Sequence, residues 1–202
     1  MNKITLNVPD GIEHLSEWQE LWNTLPTNQH YILNKRICGC GATEAYIRSD
    51  KKVILASPRK HLLYNKYSQH LKDNLHLYRF TGNKKKYFES RTTSPTDILA
   101  FNDSLTGYIK SGGNKILTTY DSLRKIMEAL KDSGENLSQW IVVVDEFQAI
   151  FYDCQYKAIT EYEFCQVLQK FPTVVYLSAT PYLESYLDKI EQFKDLLVYE
   201  LL

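Results

Sequence analysis

The chain has 202 residues, 44% of them hydrophobic, and its 24 basic residues are cancelled by 24 acidic ones. That size suits one well-buried domain with a modest extension, and the neutral balance excludes a whole-molecule field that would draw in a polyanion, so any nucleic-acid surface must be local. No apolar run approaches the ~18 residues of a membrane span, and no signal-peptide pattern opens the chain. Cys38, Cys40, Cys154 and Cys165 form neither CxxC pairs nor a Cys/His set at zinc spacing. A cytoplasmic protein without membrane contact and without zinc is expected.

In chain order, Trp18, Leu21, Trp22 and Leu25 recur at helical spacing before Pro26, which predicts a helical extension over residues 1–30. Tyr31 to Asn34 reads as a strand, Gly39 to Thr43 as a glycine turn into a helix over Glu44 to Arg48, and Val53 to Ala56 as a buried strand closed by Pro58. A helix over Leu62 to Leu71, a strand over Leu75 to Phe80 and a polar stretch from Gly82 to Pro95 with the Lys84 Lys85 Lys86 run come next. Lys115 to Thr118 is a strand, Ser122 to Lys131 a helix, and Val142 to Val144 a β-branched strand ending in Asp145 and Glu146. A helix over Glu161 to Lys170, a strand over Thr173 to Leu177, a helix near Leu183 to Phe193 and an apolar strand near Val198 to Leu202 close the pattern. Alternating strands and helices predict an α/β fold with a mostly parallel sheet covered on both faces.

Paired carboxylates at the carboxyl end of a parallel strand lie where open α/β sheets bind ligands. One such carboxylate can hold Mg²⁺ through its water shell while its neighbour orients or deprotonates an attacking water. Taken singly, Asp145 and Glu146, or Ser178 and Thr180, would serve equally well as helix caps. In order they are more specific: a glycine turn after the first strand, Ser57 Pro58 Arg59 Lys60 after the next, Thr118 Thr119 Tyr120, Asp145 Glu146 Phe147 Gln148, then Ser178 Ala179 Thr180 Pro181.

Over Tyr31 to Pro181, this series resembles the N-terminal RecA-like motor domain of superfamily 2 helicases and translocases. The resemblance implies a three-layer RecA-like (P-loop NTPase) sheet, with the nucleotide-binding domain over residues 31–181. It implies ATP as substrate with Mg²⁺ held by Thr43 and Asp145, and catalysis by Glu146 and Asp145 with Gln148. Coupling would pass through Ser178, Ala179 and Thr180. Arg59, Lys60, Thr119 and Tyr120 would contact nucleic acid, DNA being the expected partner more than RNA.

The phosphate loop departs from the family motif. Gly39 Cys40 Gly41 Ala42 Thr43 Glu44 keeps the amide cradle and the threonine, but alanine stands where the family has lysine. Losing that close positive charge costs several kcal/mol of transition-state stabilisation, about a hundredfold in rate. Lys35 or Arg36, just before the loop, is expected to supply the charge; otherwise Lys35 ends its strand in solvent. Two other readings remain: a degenerate nucleotide- or nucleic-acid-binding scaffold that has lost turnover, for which Ala42 speaks, and a packaging-type ATPase, which shares the sheet and an early phosphate-loop lysine but which Ser-Ala-Thr-Pro and Thr-Thr-Tyr fit less well. In the family a second RecA-like domain brings arginine fingers. Residues 182–202 are too few for one, so they are expected to be a helix and connector toward a second domain in the same or another chain, with weak turnover by this part alone.

Overall fold

The computed structural model describes residues 2–37, 39–70, 72–78, 105–152, 162–179, 187 and 190–202. The expected Lys84 Lys85 Lys86 run, Thr180, Pro181, Cys38, Cys154 and most of the helix predicted over 183–193 lie outside the described residues.

Eight strands form one sheet: β1 (Asn2–Leu6), β2 (Tyr31–Asn34), β3 (Lys52–Ser57), β4 (His76–Leu77), β5 (Lys115–Thr119), β6 (Trp140–Val144), β7 (Thr173–Ser178) and β8 (Leu197–Leu201). Their order is β1-β8-β2-β7-β6-β3-β5-β4, and each neighbouring pair runs parallel. Parallel strands buried on both faces read as unbroken apolar runs. Trp140 Ile141 Val142 Val143 Val144 is such a run, and all five residues are buried.

Alternate side chains feed two cores on opposite faces. Ile54, Ala56, Val142, Val144, Val174 and Tyr176 join one cluster; Val53, Leu55, Val143, Val175 and Leu177 join the other. The helix Leu123–Asp132 covers the first face with Leu123, Ile126, Met127 and Leu130, the spacing of one helical stripe. Helices α1 (Gln19–Thr24), α2 (Ala42–Arg48) and α3 (Lys60–Gln69) contribute Leu21, Tyr46, Ile47 and Leu63 to the second. The result is the expected three-layer α/β arrangement, consistent with a RecA-like sheet.

Two expectations about the ends change. The predicted helical extension over 1–30 begins instead with β1, an edge strand whose side chains are mostly exposed and carry little apolar signal. The apolar segment near the other end, β8, is threaded between β1 and β2 and bonded to both. The sheet therefore runs across the boundaries drawn at residues 30 and 181. The strand predicted over Leu75 to Phe80 is shorter, His76–Leu77, with residues 79 and 80 outside the description. Among the described residues, no helix is long and apolar enough to cross a membrane.

Lys115 opens β5 with only 4% of its surface exposed, and its ammonium donates to the carbonyl oxygen of Lys51. Desolvation lowers its pKa from 10.5 to about 8, against a smaller upward pull from Asp50. Between those values the unfolded chain binds more protons than the folded one, so stability rises with pH across that window. The cost of the buried charge is complete below about pH 8. Lys115→Met should therefore raise the melting temperature at neutral pH, and the gain should shrink at pH values above the window. Thermal melts at both ends of the window check this; an equal gain at both would assign the effect to packing.

Candidate functional site

Since every described pairing is parallel, the carboxyl ends of β2, β7, β6, β3 and β5 share one edge of the sheet. The glycine turn follows β2 and the acidic pair follows β6, with β7 between them.

The turn is tightly made. Lys35 N donates to Ser178 O at 2.8 Å, extending the β2–β7 ladder by one rung, after which Arg36 (φ 53°), Gly39 (φ 76°) and Gly41 (φ 82°) take left-handed conformations. Gly41 is the residue before the first turn of α2. A Cβ there would lie 3.2 Å from His14 Cβ and 3.4 Å from Leu15 N, so both its backbone angle and its surroundings call for glycine. Leu15 N in turn donates to Cys40 O at 2.7 Å, bracing the loop with the N-terminal segment. Helix α2 then presents first-turn amides without intrahelical partners, a setting suited to anions. Ala42 packs into the apolar cluster, 1% exposed, and Thr43 is buried at 5%. A cleft of about 920 Å³ borders the loop between Gly39, Gly41 and Glu44 on one wall and His14, Glu17 and Trp22 on the other; Asp145 and Glu146 are not among its lining.

The acidic tip is held on both sides. Asp145 N donates to Ala56 O at 2.9 Å and Phe147 N to Leu177 O at 3.2 Å, so the residue between, Glu146, is forced to φ 54°. A non-glycine residue in that region carries about 1–3 kcal/mol of strain. Tyr120 adds a third brace: its hydroxyl donates to Asp145 O at 2.7 Å while its ring stacks on Phe164, centroids 4.3 Å apart.

The Asp145 side chain is only 7% exposed and faces two ammonium groups, Lys35 Nζ at 3.6 Å from Oδ1 and Lys66 Nζ at 4.0 Å from Oδ2. Oδ1 is buried without a hydrogen-bond partner. At the neighbouring tip, Ser178 Oγ donates to Gln148 Oε1 at 3.3 Å, linking the end of β7 to the acidic segment.

The structure thus brings Lys35, Asp145, Gln148 and Ser178 together beside the Gly39 to Glu44 turn. Glu146 and Ala179 sit half-buried on the same edge. Lys35 is not a solvated strand end, since 13% of its side chain is exposed. Arg36 turns away: its Nε donates to Glu200 Oε1 at 3.1 Å, where Lys3 Nζ also approaches Oε2 at 3.5 Å and Asn34 Nδ2 donates at 3.4 Å. Burial pushes the Glu200 carboxyl up, but Arg36 and Lys3 together outweigh it and hold the group below its ordinary value.

The Glu44 carboxylate is engaged by Arg48 Nε and His70 Nε2, each at 2.7 Å, leaving its backbone amide to the loop. Thr119 and Tyr120 are buried at 8% and 4%, and the Thr119 hydroxyl donates to Ser122 Oγ at 3.1 Å. Of the four residues expected to meet nucleic acid, these two therefore face inward, and only Arg59 and Lys60 lie exposed at the start of α3.

Sequence reasoning did not single out Lys66. It stands on the second turn of a helix with no motif of its own. Only the packing of α3 beside β3 and β5 brings it to Asp145.

Magnesium is commonly held by one or two carboxylates, with phosphates and water completing its shell. Asp145, with its unbonded buried oxygen, and the Thr43 hydroxyl are hard oxygen donors of that kind. Among the described residues no group of three or more His, Cys, Asp or Glu side chains could bind a metal by itself. The residues fit an ion carried in by phosphates.

No protein-family model and no curated protein sequence matches this chain.

Tyr120→Phe keeps the stacked ring and removes the donor to Asp145 O, which should cost about 1–2 kcal/mol of stability. Urea unfolding should show this as a lower midpoint at unchanged slope. An unchanged midpoint would mean that the hydroxyl contributes nothing to holding the tip.

Proposed function

We propose that this chain is the ATP-binding domain of a nucleic-acid-dependent ATPase of the superfamily 2 helicase type. The observation that carries this reading is the shared edge: the amide-rich turn after β2 and the acidic tip after β6 flank one strand end, and Lys35 spans them at 3.6 Å from Asp145. A turn that cradles anions beside paired carboxylates has the chemistry for a triphosphate and its metal.

In this reading the backbone amides from Gly39 to Glu44 bind the phosphate chain. Asp145 and Thr43 would hold Mg²⁺, which would supply positive charge against the phosphates. Lys35 contributes the ammonium that Ala42 lacks. A carboxylate oxygen of Glu146 accepts a proton from water as the water oxygen bonds to the γ phosphorus and the bond to the β-phosphate oxygen breaks. Gln148 and the hydroxyl of Ser178, already hydrogen-bonded at the end of β7, register the change and pass it on to Ala179 and Thr180, which follow in the sequence. Of the four residues expected to meet nucleic acid, Arg59 and Lys60 are the two exposed ones and would contact its backbone, DNA being the expected partner more than RNA. A second RecA-like domain, in the same or another chain, would supply arginine to the transition state.

A second reading, a binding scaffold without turnover, is favoured by one observation: Ala42 is sealed in the core, so the loop has no cation of its own. Thermal shift separates the two. With Mg-ATP at a hundred times its dissociation constant, the domain should gain about 2.7 kcal/mol. Glu146→Gln should keep that gain and abolish any hydrolysis, whereas Asp145→Asn should weaken Mg-ATP more than metal-free nucleotide. No shift at millimolar Mg-ATP would favour the scaffold. If Arg59 and Lys60 meet phosphates, replacing both with alanine should flatten the salt dependence of DNA binding by about two counterions, as read from a plot of log affinity against log salt.

A further inference from the structure

We infer that Lys66 is a second phosphate-binding ammonium, acting with Lys35 to replace the cation missing at Ala42. This rests on the nucleotide reading above and adds a residue from a different element, α3. Asp145 is one carboxylate with two ammonium groups on it, Lys35 at 3.6 Å from Oδ1 and Lys66 at 4.0 Å from Oδ2. A buried carboxylate needs one partner to offset its desolvation; a second leaves surplus positive charge in a place where charge is costly to bury. Neither ammonium is within hydrogen-bond distance of Asp145, so both keep their donors available.

The helix that carries Lys66 is held in place. Side chains on a helix lean toward its N-terminus, so the Lys66 stem on α3 runs back toward the carboxyl edge where α3 begins. The helix is fixed next to the phosphate loop by His70, whose Nε2 meets Glu44 Oε2 at 2.7 Å and whose Nδ1 meets Asp73 Oδ2 at 2.6 Å. His70 N also donates to Lys66 O at 3.1 Å, ending the helix one turn beyond the lysine. The loop helix and the helix that carries Lys66 are therefore coupled through Glu44, a residue of the loop itself.

On this assignment, bound nucleotide draws both ammonium groups from Asp145 onto phosphate oxygens, leaving the carboxylate to the metal. Because Lys66 sits on Asp145, the residue that would hold the metal, and not on the amide-rich turn, its contact would fall on the terminal phosphate, and ATP would depend on it more than ADP does.

The test is titration of the domain with Mg-ATP and with Mg-ADP, for the wild type, Lys66→Met, Lys66→Arg and the exposed control Lys72→Met. Loss of a charge-assisted contact predicts about a tenfold to hundredfold weaker Mg-ATP affinity in Lys66→Met, a smaller loss for Mg-ADP, partial recovery in Lys66→Arg and no change in Lys72→Met. Wild-type affinity in Lys66→Met would overturn the assignment and leave the nucleotide reading standing. Equal losses in Lys66→Met and Lys72→Met would also overturn it, since a general field would then be the cause. A wild type that binds neither nucleotide would overturn both. Should Lys66→Met melt below the assay temperature, Lys66→Gln takes its place with the same outcomes.

Discussion

Everything at the candidate site depends on the ladder that joins β2, β7 and β6 in parallel register. Tyr31 pairs with Val175 and Val143 with the same Val175 from the other side, so the three strands end within a residue or two of each other. One further rung, Lys35 N to Ser178 O, and two flanking bonds, Asp145 N to Ala56 O and Phe147 N to Leu177 O, carry that register past the strands into the loops. Backbone hydrogen bonds, not side-chain packing, thus set the separation between turn and acidic tip. The flanking loops can adopt strained angles at Arg36 and Glu146 because the ladder determines where each begins.

Charge at this edge is balanced by position. Among the basic residues around the turn, Arg36 is committed to Glu200, and Arg48 to Glu44. Among the described residues, Lys35 and Lys66 converge on Asp145. The molecule is neutral as a whole, yet it concentrates two ammonium groups on one carboxylate next to unpaired amides. A neutral composition is therefore compatible with positive charge gathered at one place, because fields at such short range are set by neighbours and little by the total.

Much of the fold could be read from apolar runs. β2, β3, β5, β6 and β7 are buried on both faces, and their aliphatic and β-branched content marked them without help from context. β1 escaped because an edge strand with mostly exposed side chains has no such run. β8 was visible as a strand, but its place between β1 and β2 depends on pairing across the length of the chain. At the site, the residues in the strand-end loops were legible because loop position follows from strand position. Side-chain direction was not. Tyr120 follows a strand just as a surface contact would, yet its ring had an aromatic partner in Phe164 and its hydroxyl an acceptor in Asp145 O, and burial wins when both are available. Lys66 lacked any local sign because its place at Asp145 comes from a helix packing beside a strand far from it in sequence.

Glu200 gives the architecture a temporal consequence. Its carboxylate grips Arg36 across 164 residues of chain, and the same strand bonds to β2 along its length. The bend that follows β2 is thus synthesised well before the strand that gives it its final shape. Contacts of such long sequence separation form late and slowly, so a growing polypeptide that has already emerged through its acidic tip would still hold an unfinished loop. The final geometry of the loop would arrive in one step, when the strand carrying Glu200 inserts and closes the gap between the sheet's edge and its interior.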